Sequence, residues 1–260
     1  MKAPAFAYAK PASLAEALEL LARPGAKVLA GGQSLIPSLN MRLSSPELLV
    51  DISGVPGLKS IEVKPDGMRI GALVTHSQIE KSSEIRKHVP LLAEAAPHIA
   101  HPAIRNRGTI GGSLALADPA AEYPACAVAL NATVVVESKK GKRRIPAETF
   151  FKGLFETGLK ADEILTAVEF APAKKDDKSV FLELARRHGD YATVGLAGHN
   201  DRVVFFAVGS VPVPVSLKDA KTFVKQELQP AADLYNSRET KRHLAGVLLE
   251  RAWNTLSTSR

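Results

Sequence analysis

Apolar residues recur along this chain in two rhythms. From Ala12 to Arg23, Leu14, Leu18 and Leu21 fall at helical spacing and predict a first helix with one buried face. Ser13 and Glu16 have capping-box spacing at its start, and Pro24-Gly25 ends it. Short apolar runs at Lys27 to Ala30 and Leu48 to Ile52 read as strands, with Asp51 set among Val50 and Ile52. From Gly57 the rhythm changes. Leu58 to Val63 and Met68 to Ala72 flank Pro65-Asp66-Gly67 and predict a hairpin. Thr75 and Gln78 offer a second capping box. Pro90 to Ala100 and Ala120 to Leu130 read as helices, and Ala132 to Glu137 and Glu163 to Phe170 as strands.

The polar stretch Ala171 to Lys178 (APAKKDDK) interrupts the pattern and reads as a linker. Beyond it lie predicted strands at Ser179 to Arg186 and Arg202 to Val208, a turn at His188-Gly189-Asp190, and helices near Leu217 to Gln226 and Arg238 to Leu256. The breaks divide the chain into residues 1–55, 56–172 and 178–260, an α+β organisation with a small α+β C-terminal domain.

Composition narrows the classes. With 45% hydrophobic and 23% charged residues over 260 positions, the chain can build an ordinary globular core. The single cysteine, Cys126, excludes an intrachain disulfide, and an iron–sulfur cluster held by this chain alone; it reads as a small core residue. No apolar run approaches a membrane span and the N-terminus lacks a secretory signal, so the expectation is a cytoplasmic protein. The net charge is +7. Its densest run, KKGKRR at Lys139 to Arg144, lies between apolar strands without interleaved aromatics, and reads as a solvated turn rather than a nucleic-acid surface.

Candidate chemistry concentrates in two glycine pairs, AGGQSLIP (Ala30 to Pro37) and TIGGSLALADP (Thr109 to Pro119). Glycine lets a backbone approach a ligand closely, and a helix starting just after such a loop adds free N–H groups and the positive end of its dipole. Gly31-Gly32-Gln33-Ser34 before Leu35 fits both requirements, and Gly111-Gly112-Ser113 fits the first. Both suit an anion. Neither is G-x-G-x-x-G or a P-loop, so the common nucleotide folds are not indicated. His98 and His101 have no third partner at metal-ligating spacing, and Arg105 and Arg107 suit either a phosphate or carboxylates. No Ser-His-Asp order, HExxH or paired-carboxylate signature is present, and neither catalytic nor metal-binding residues are assigned.

Four strings carry a resemblance: AGGQSLIPSLNMRLSSPELLVDIS, IRNRGTIGGSLALADPAAEYPA, ADEILTAVEF and FLELARRHGDYATVGLA. In this order they resemble the flavin-binding medium subunit of the molybdenum hydroxylases, the carbon monoxide dehydrogenase and xanthine dehydrogenase family. The resemblance implies FAD held between two N-terminal subdomains, as in vanillyl-alcohol-oxidase-like (PCMH-type) flavoproteins, with a C-terminal domain appended. It implies that Leu29, Ala30, Gly31, Gly32, Gln33, Ser34 and Leu35, with Thr109, Gly111, Gly112 and Ser113, surround the FAD diphosphate. Glu122 falls where relatives often place an Asp on the ribose side. Leu165 falls beside the isoalloxazine ring, and Tyr191 over one of its faces. Some relatives carry a Lys shortly after the position of Phe181, where this chain has Leu182 and Glu183.

By the same resemblance, substrate is hydroxylated at a molybdenum cofactor in a large partner subunit. Electrons then pass through 2Fe-2S clusters of a small subunit to this FAD, and on to an external acceptor, in a dimer of heterotrimers. The alternatives are a stand-alone FAD-dependent oxidoreductase and a non-enzymatic nucleotide- or anion-binding module.

Overall fold

The computed structural model describes residues 2–257; Met1 and residues 258–260, the outer ends of the first and last predicted segments, lie outside it. The first unit contains β1 (Ala7–Ala9), α1 (Leu14–Leu21), β2 (Ala26–Leu29), α2 (Leu35–Asn40) and β3 (Leu48–Asp51). Its three strands are parallel in the order β1-β3-β2. Ser13 caps α1 by accepting the Glu16 N–H at 3.2 Å. The Glu16 carboxylate reaches one residue further back than a capping box requires, to the Ala12 N–H at 2.8 Å. Ala17, Leu18 and Leu21 of α1 pack on Leu48, Val50 and Ile52, and Leu73 and Ile164 of the second unit close this core.

The second unit opens with the hairpin β4 (Ile61–Lys64) and β5 (Gly67–Gly71). Five short helices follow: α3 (His76–Lys81), α4 (Ser83–His88), α5 (Pro90–Ala95), α6 (Pro102–Arg105) and α7 (Ile110–Leu116). The predicted helix Pro90 to Ala100 stops early. Pro97 turns it into a short 3-10 segment, and Ala100 takes a left-handed φ of 43°. After α8 (Glu122–Ala129) come β6 (Thr133–Ser138), β7 (Gly141–Pro146), α9 (Ala147–Phe150), β8 (Phe151–Gly153), β9 (Glu156–Thr157) and β10 (Ile164–Phe170). The antiparallel sheet runs β4-β5-β10-β6-β7. The basic run occupies its β6–β7 edge. There Lys139, Lys142, Arg143 and Arg144 pair with Glu19, Glu137, Glu163 and Glu169, so the run is largely neutralised by its own surroundings.

The third unit is a sheet of β11 (Ser179–Ala185), β12 (Ala192–His199), β13 (Arg202–Phe206) and β14 (Val213–Ser216), followed by α10 (Leu217–Gln226) and α11 (Arg238–Ser257). One face packs on α10 and α11 through Val194, Leu196, Val203 and Phe205. The other presents Phe181, Ala197, Val204 and Phe206 to the core that contains α8. All eight residues of α8 are buried, Cys126 among them. Among the described residues no helix is long and apolar enough to cross a membrane.

Candidate cofactor site

The two glycine segments, nearly eighty positions apart in sequence, touch in the fold. A β-carbon added at Gly31 would run into the carbonyl oxygen of Arg107 and lie 3.0 Å from the Gly108 Cα. Only glycine allows that approach. Gly32 has φ of +75°, where side chains are disfavoured, and turns the chain from β2 into α2. Leu29 ends β2, and Leu29 and Ala30 are half-buried at the edge of the first core.

Donor accounting separates the two loops. At α2, Ser34 occupies the N-cap position but makes no side-chain cap bond. Among the described residues no intramolecular acceptor takes the backbone N–H of Gln33, Ser34 or Leu35; the first such bond is Ile36 N–H to Gly32 O at 3.1 Å. These donors are those a bound anion uses.

At α7 the expectation of a free donor cradle is corrected. Gly111 and Gly112 are not in a loop but in the first helical turn, with Thr109 as N-cap. Ile110 N–H donates to Val74 O at 3.0 Å, Gly111 N–H to Ala72 O at 2.9 Å, and Gly112 N–H to Thr109 Oγ1 at 3.1 Å. The strand bridge between Thr75 and Thr109 fixes the same corner. Gly111 is needed for packing: a β-carbon there would lie 2.5 Å from that of Ala72. What this loop offers a ligand is the bare Cα surface of Gly112 and the half-buried Ser113.

The corner is anchored from behind by two residues to which the sequence assigned no positioning role. Arg105 is 8% exposed. Its Nε donates to Glu80 at 2.9 Å, and its Nη1 to the carbonyls of Ile99 and Ala100, each at 3.0 Å. It thus pairs with a carboxylate and orders the backbone leading to Gly108. His76 N–H donates to Gly108 O at 3.0 Å, and its ring occupies the space a Gly108 side chain would fill. Arg107 is exposed and remains available to an anion.

The seven residues of α7 lead about 10 Å from this corner to a second group of candidates. Ala117, at φ 54°, reverses the chain into Asp118 and the start of α8. Glu122 is buried there, and burial, reinforced by Glu183 and Asp118, pushes its carboxyl up to about 8. Burial likewise raises Glu183 to about 7 and shifts Asp118 upward. Tyr191, just before β12, is 77% exposed. Partial desolvation of its hydroxyl, then Asp118 and Glu122, raise its pKa above the ordinary tyrosine value. The turn carrying it is seated by Gly189, which abuts the Ala100 carbonyl. Leu165 lies on β10 at 5% exposure, in the same core as Ala72, Ile110 and Leu114. Its side chain is therefore packed behind α7, and only its edge or backbone is available to a ligand.

The candidates thus fall in two groups: the glycine corner at one end of α7, and buried carboxyls toward the start of α8 at the other. None of them lines the cavity of about 880 Å³ that opens at the opposite end of α8 beside Leu130, Phe170 and His199. Among the described residues no group of His, Cys, Asp and Glu could hold a metal ion, and the His98 ring lies 5.1 Å from that of Phe181, tilted by 55°.

Residues 4–173 match the family model described as the FAD binding domain in molybdopterin dehydrogenase. The chain belongs to that family. This medium subunit is 46% identical over 198 residues to the nicotine 6-hydroxylase medium subunit of Paenarthrobacter nicotinovorans, covering 76% of this chain and 69% of that one. It is 36% identical over 279 residues to the caffeine dehydrogenase subunit beta of Pseudomonas sp. strain CBB1, covering 97% and 95%. Among solved structures, carbon monoxide dehydrogenase from Hydrogenophaga pseudoflava superposes with a TM-score of 0.93 at 31% identity, over 99% of both chains. The chain is thus an oxidoreductase subunit of the α+β, PCMH-type FAD fold. FAD is its cofactor, and molybdenum and iron–sulfur centres belong to other subunits.

The structure fits that cofactor on its own terms. A diphosphate requires backbone donors without competing acceptors, and Gln33, Ser34 and Leu35 supply them beside the turn that Gly31 and Gly32 make possible. Ribose hydroxyls require acceptors or neutral donors, and Asp118 and Glu122 lie one helix away.

Proposed function

We propose that this subunit passes electrons from iron–sulfur clusters of a small partner subunit to an external acceptor, within a complex whose large subunit carries the molybdenum cofactor. Bound FAD supplies the redox chemistry. The observation that carries the assignment of the site is the contact of Gly31 with Arg107 and Gly108, beside unclaimed donors at the start of α2. On this reading Ala30 to Leu35 bind and orient the diphosphate, with Gly112 and Ser113 opposite. Glu122, protonated at neutral pH, donates a hydrogen bond to the sugar side. Tyr191 covers one face of the ring system, and Leu165 keeps water from its edge. Glu122, held largely neutral by burial, places little negative charge beside a cofactor that gains electrons.

The experiment is a visible spectrum with partner analysis. The purified protein is expected to show flavin bands, and to copurify with a molybdenum subunit and an iron–sulfur subunit at the mass of two heterotrimers. A colourless protein that takes up no FAD on reconstitution would make the glycine corner a simple anion site. A flavoprotein that oxidises substrate without any partner would overturn the electron-transfer assignment.

A further inference from the structure

Behind the point where the glycine segments meet lie two buried polar atoms that the fold does not pair. His76, first in α3, is 6% exposed, and Tyr123, second in α8, is fully buried. Their ring centroids are 5.3 Å apart, at a tilt of 59°. Neither His76 Nδ1 nor Tyr123 Oη has a hydrogen-bond partner among the described residues. Two unpaired polar atoms on neighbouring buried rings are of the kind that an internal water satisfies.

The position of this pair gives it a task. The Cδ2–Nε2 edge of the imidazole faces Gly108, 2.7 Å from where a β-carbon would stand. Nδ1 lies on the opposite edge of the ring. Gly31 abuts Gly108 as well, so this glycine is bordered by the His76 ring and by the first loop. Burial, then the Arg105 charge, keeps the imidazole neutral, lowering its pKa to about 4. A neutral imidazole offers one donor and one acceptor, and water satisfies Nδ1 in either role. Tyr123 adjoins Glu122 and thus ties the pair to the second group of candidates.

We propose that His76 and Tyr123 are positioning residues of the cofactor site, joined by one bound water between Nδ1 and Oη, and that this link holds Gly108 against Gly31. The proposal rests on the FAD reading above. The test uses the full chain in its complex, stripped of flavin and titrated with FAD, together with a high-resolution crystal structure. The crystal structure is expected to show a water within hydrogen-bond distance of both atoms. Tyr123→Phe keeps the ring and removes the hydroxyl; the Gly108–Gly31 corner loses preorganisation, and FAD should bind about tenfold more weakly. His76→Phe keeps a ring against Gly108 and removes Nδ1, and should give a similar loss. Because both act through one water, the double variant should be little worse than either single variant.

Apoprotein melting should move by no more than about 2 °C in Tyr123→Phe. A pair without water, additive losses in the double variant, wild-type affinity in Tyr123→Phe, or melting and affinity falling together would each overturn the proposal. Failure of the wild-type chain to bind FAD would instead overturn the reading it rests on.

Discussion

Gly31→Ala is the smallest change that tests whether the two glycine segments must touch. The new methyl would overlap the Arg107 carbonyl, lie 2.8 Å from its carbon and stand 3.0 Å from the Gly108 Cα. All three atoms are backbone, so no side chain can swing aside and the segments must separate. Overpacking of this kind costs about 1–3 kcal/mol. Because FAD binding draws the segments back together, that strain reappears as lost affinity, a Kd increase of about 5- to 150-fold. Gly57→Ala is the control. Gly57, unlike Gly31, has a left-handed φ, +79°, but nothing lies within 4 Å of its added methyl. It should lose about 1–2 kcal/mol of stability and bind FAD normally. The assay is titration of apoprotein with FAD, read by flavin fluorescence, alongside urea unfolding. Wild-type affinity in Gly31→Ala, or equal weakening in Gly57→Ala, would refute the argument.

Glu122→Gln should change the pH profile of apoprotein stability. The folded carboxyl titrates at about 8 against 4.5 for an unperturbed one, so the unfolded chain releases this proton first as pH rises. Its contribution is full below pH 4.5 and lost toward pH 8; urea midpoints across that window should fall in wild type and flatten in the variant, and parallel profiles would refute this. Arg105→Met strands Glu80 and the carbonyls of Ile99 and Ala100. It should cost about 3 kcal/mol in urea unfolding, and a loss below about 1 kcal/mol would show that the network is not essential. Tyr191→Ala, at a site 77% exposed, should shift stability by less than about 0.5 kcal/mol yet alter the flavin absorption bands. An unchanged spectrum would remove Tyr191 from the ring.

The helices were legible where caps and apolar spacing agreed. Ser13 and the Thr75–Gln78 box mark α1 and α3. The strands β1, β12 and β14 were not. Three residues of β1 are strand only because they pair with β3 some forty positions later. Two glycines interrupt the apolar alternation of β12, and a proline sits in β14. The glycine pairs announced an anion site through their chemistry. Which loop keeps its donors free depends on carbonyls at Ala72 and Val74, and no local pattern encodes that contact. Burial of Glu122 is equally non-local, since β12 and β13 of the third unit supply much of the cover over α8.

The buried helix α8 has a consequence for how the molecule is inherited and how it melts. Sequence relatedness to the family model ends at residue 173, six positions before β11 begins. Yet α8, whose first residue is Glu122, is walled on one side by the sheet beyond that limit. A fragment cut at the family boundary would bare an apolar helix in the middle of its cofactor site. The span of the FAD-binding family model is therefore smaller than the part that must fold as one. Damage to the C-terminal sheet should register at the flavin before it reaches any residue that touches it.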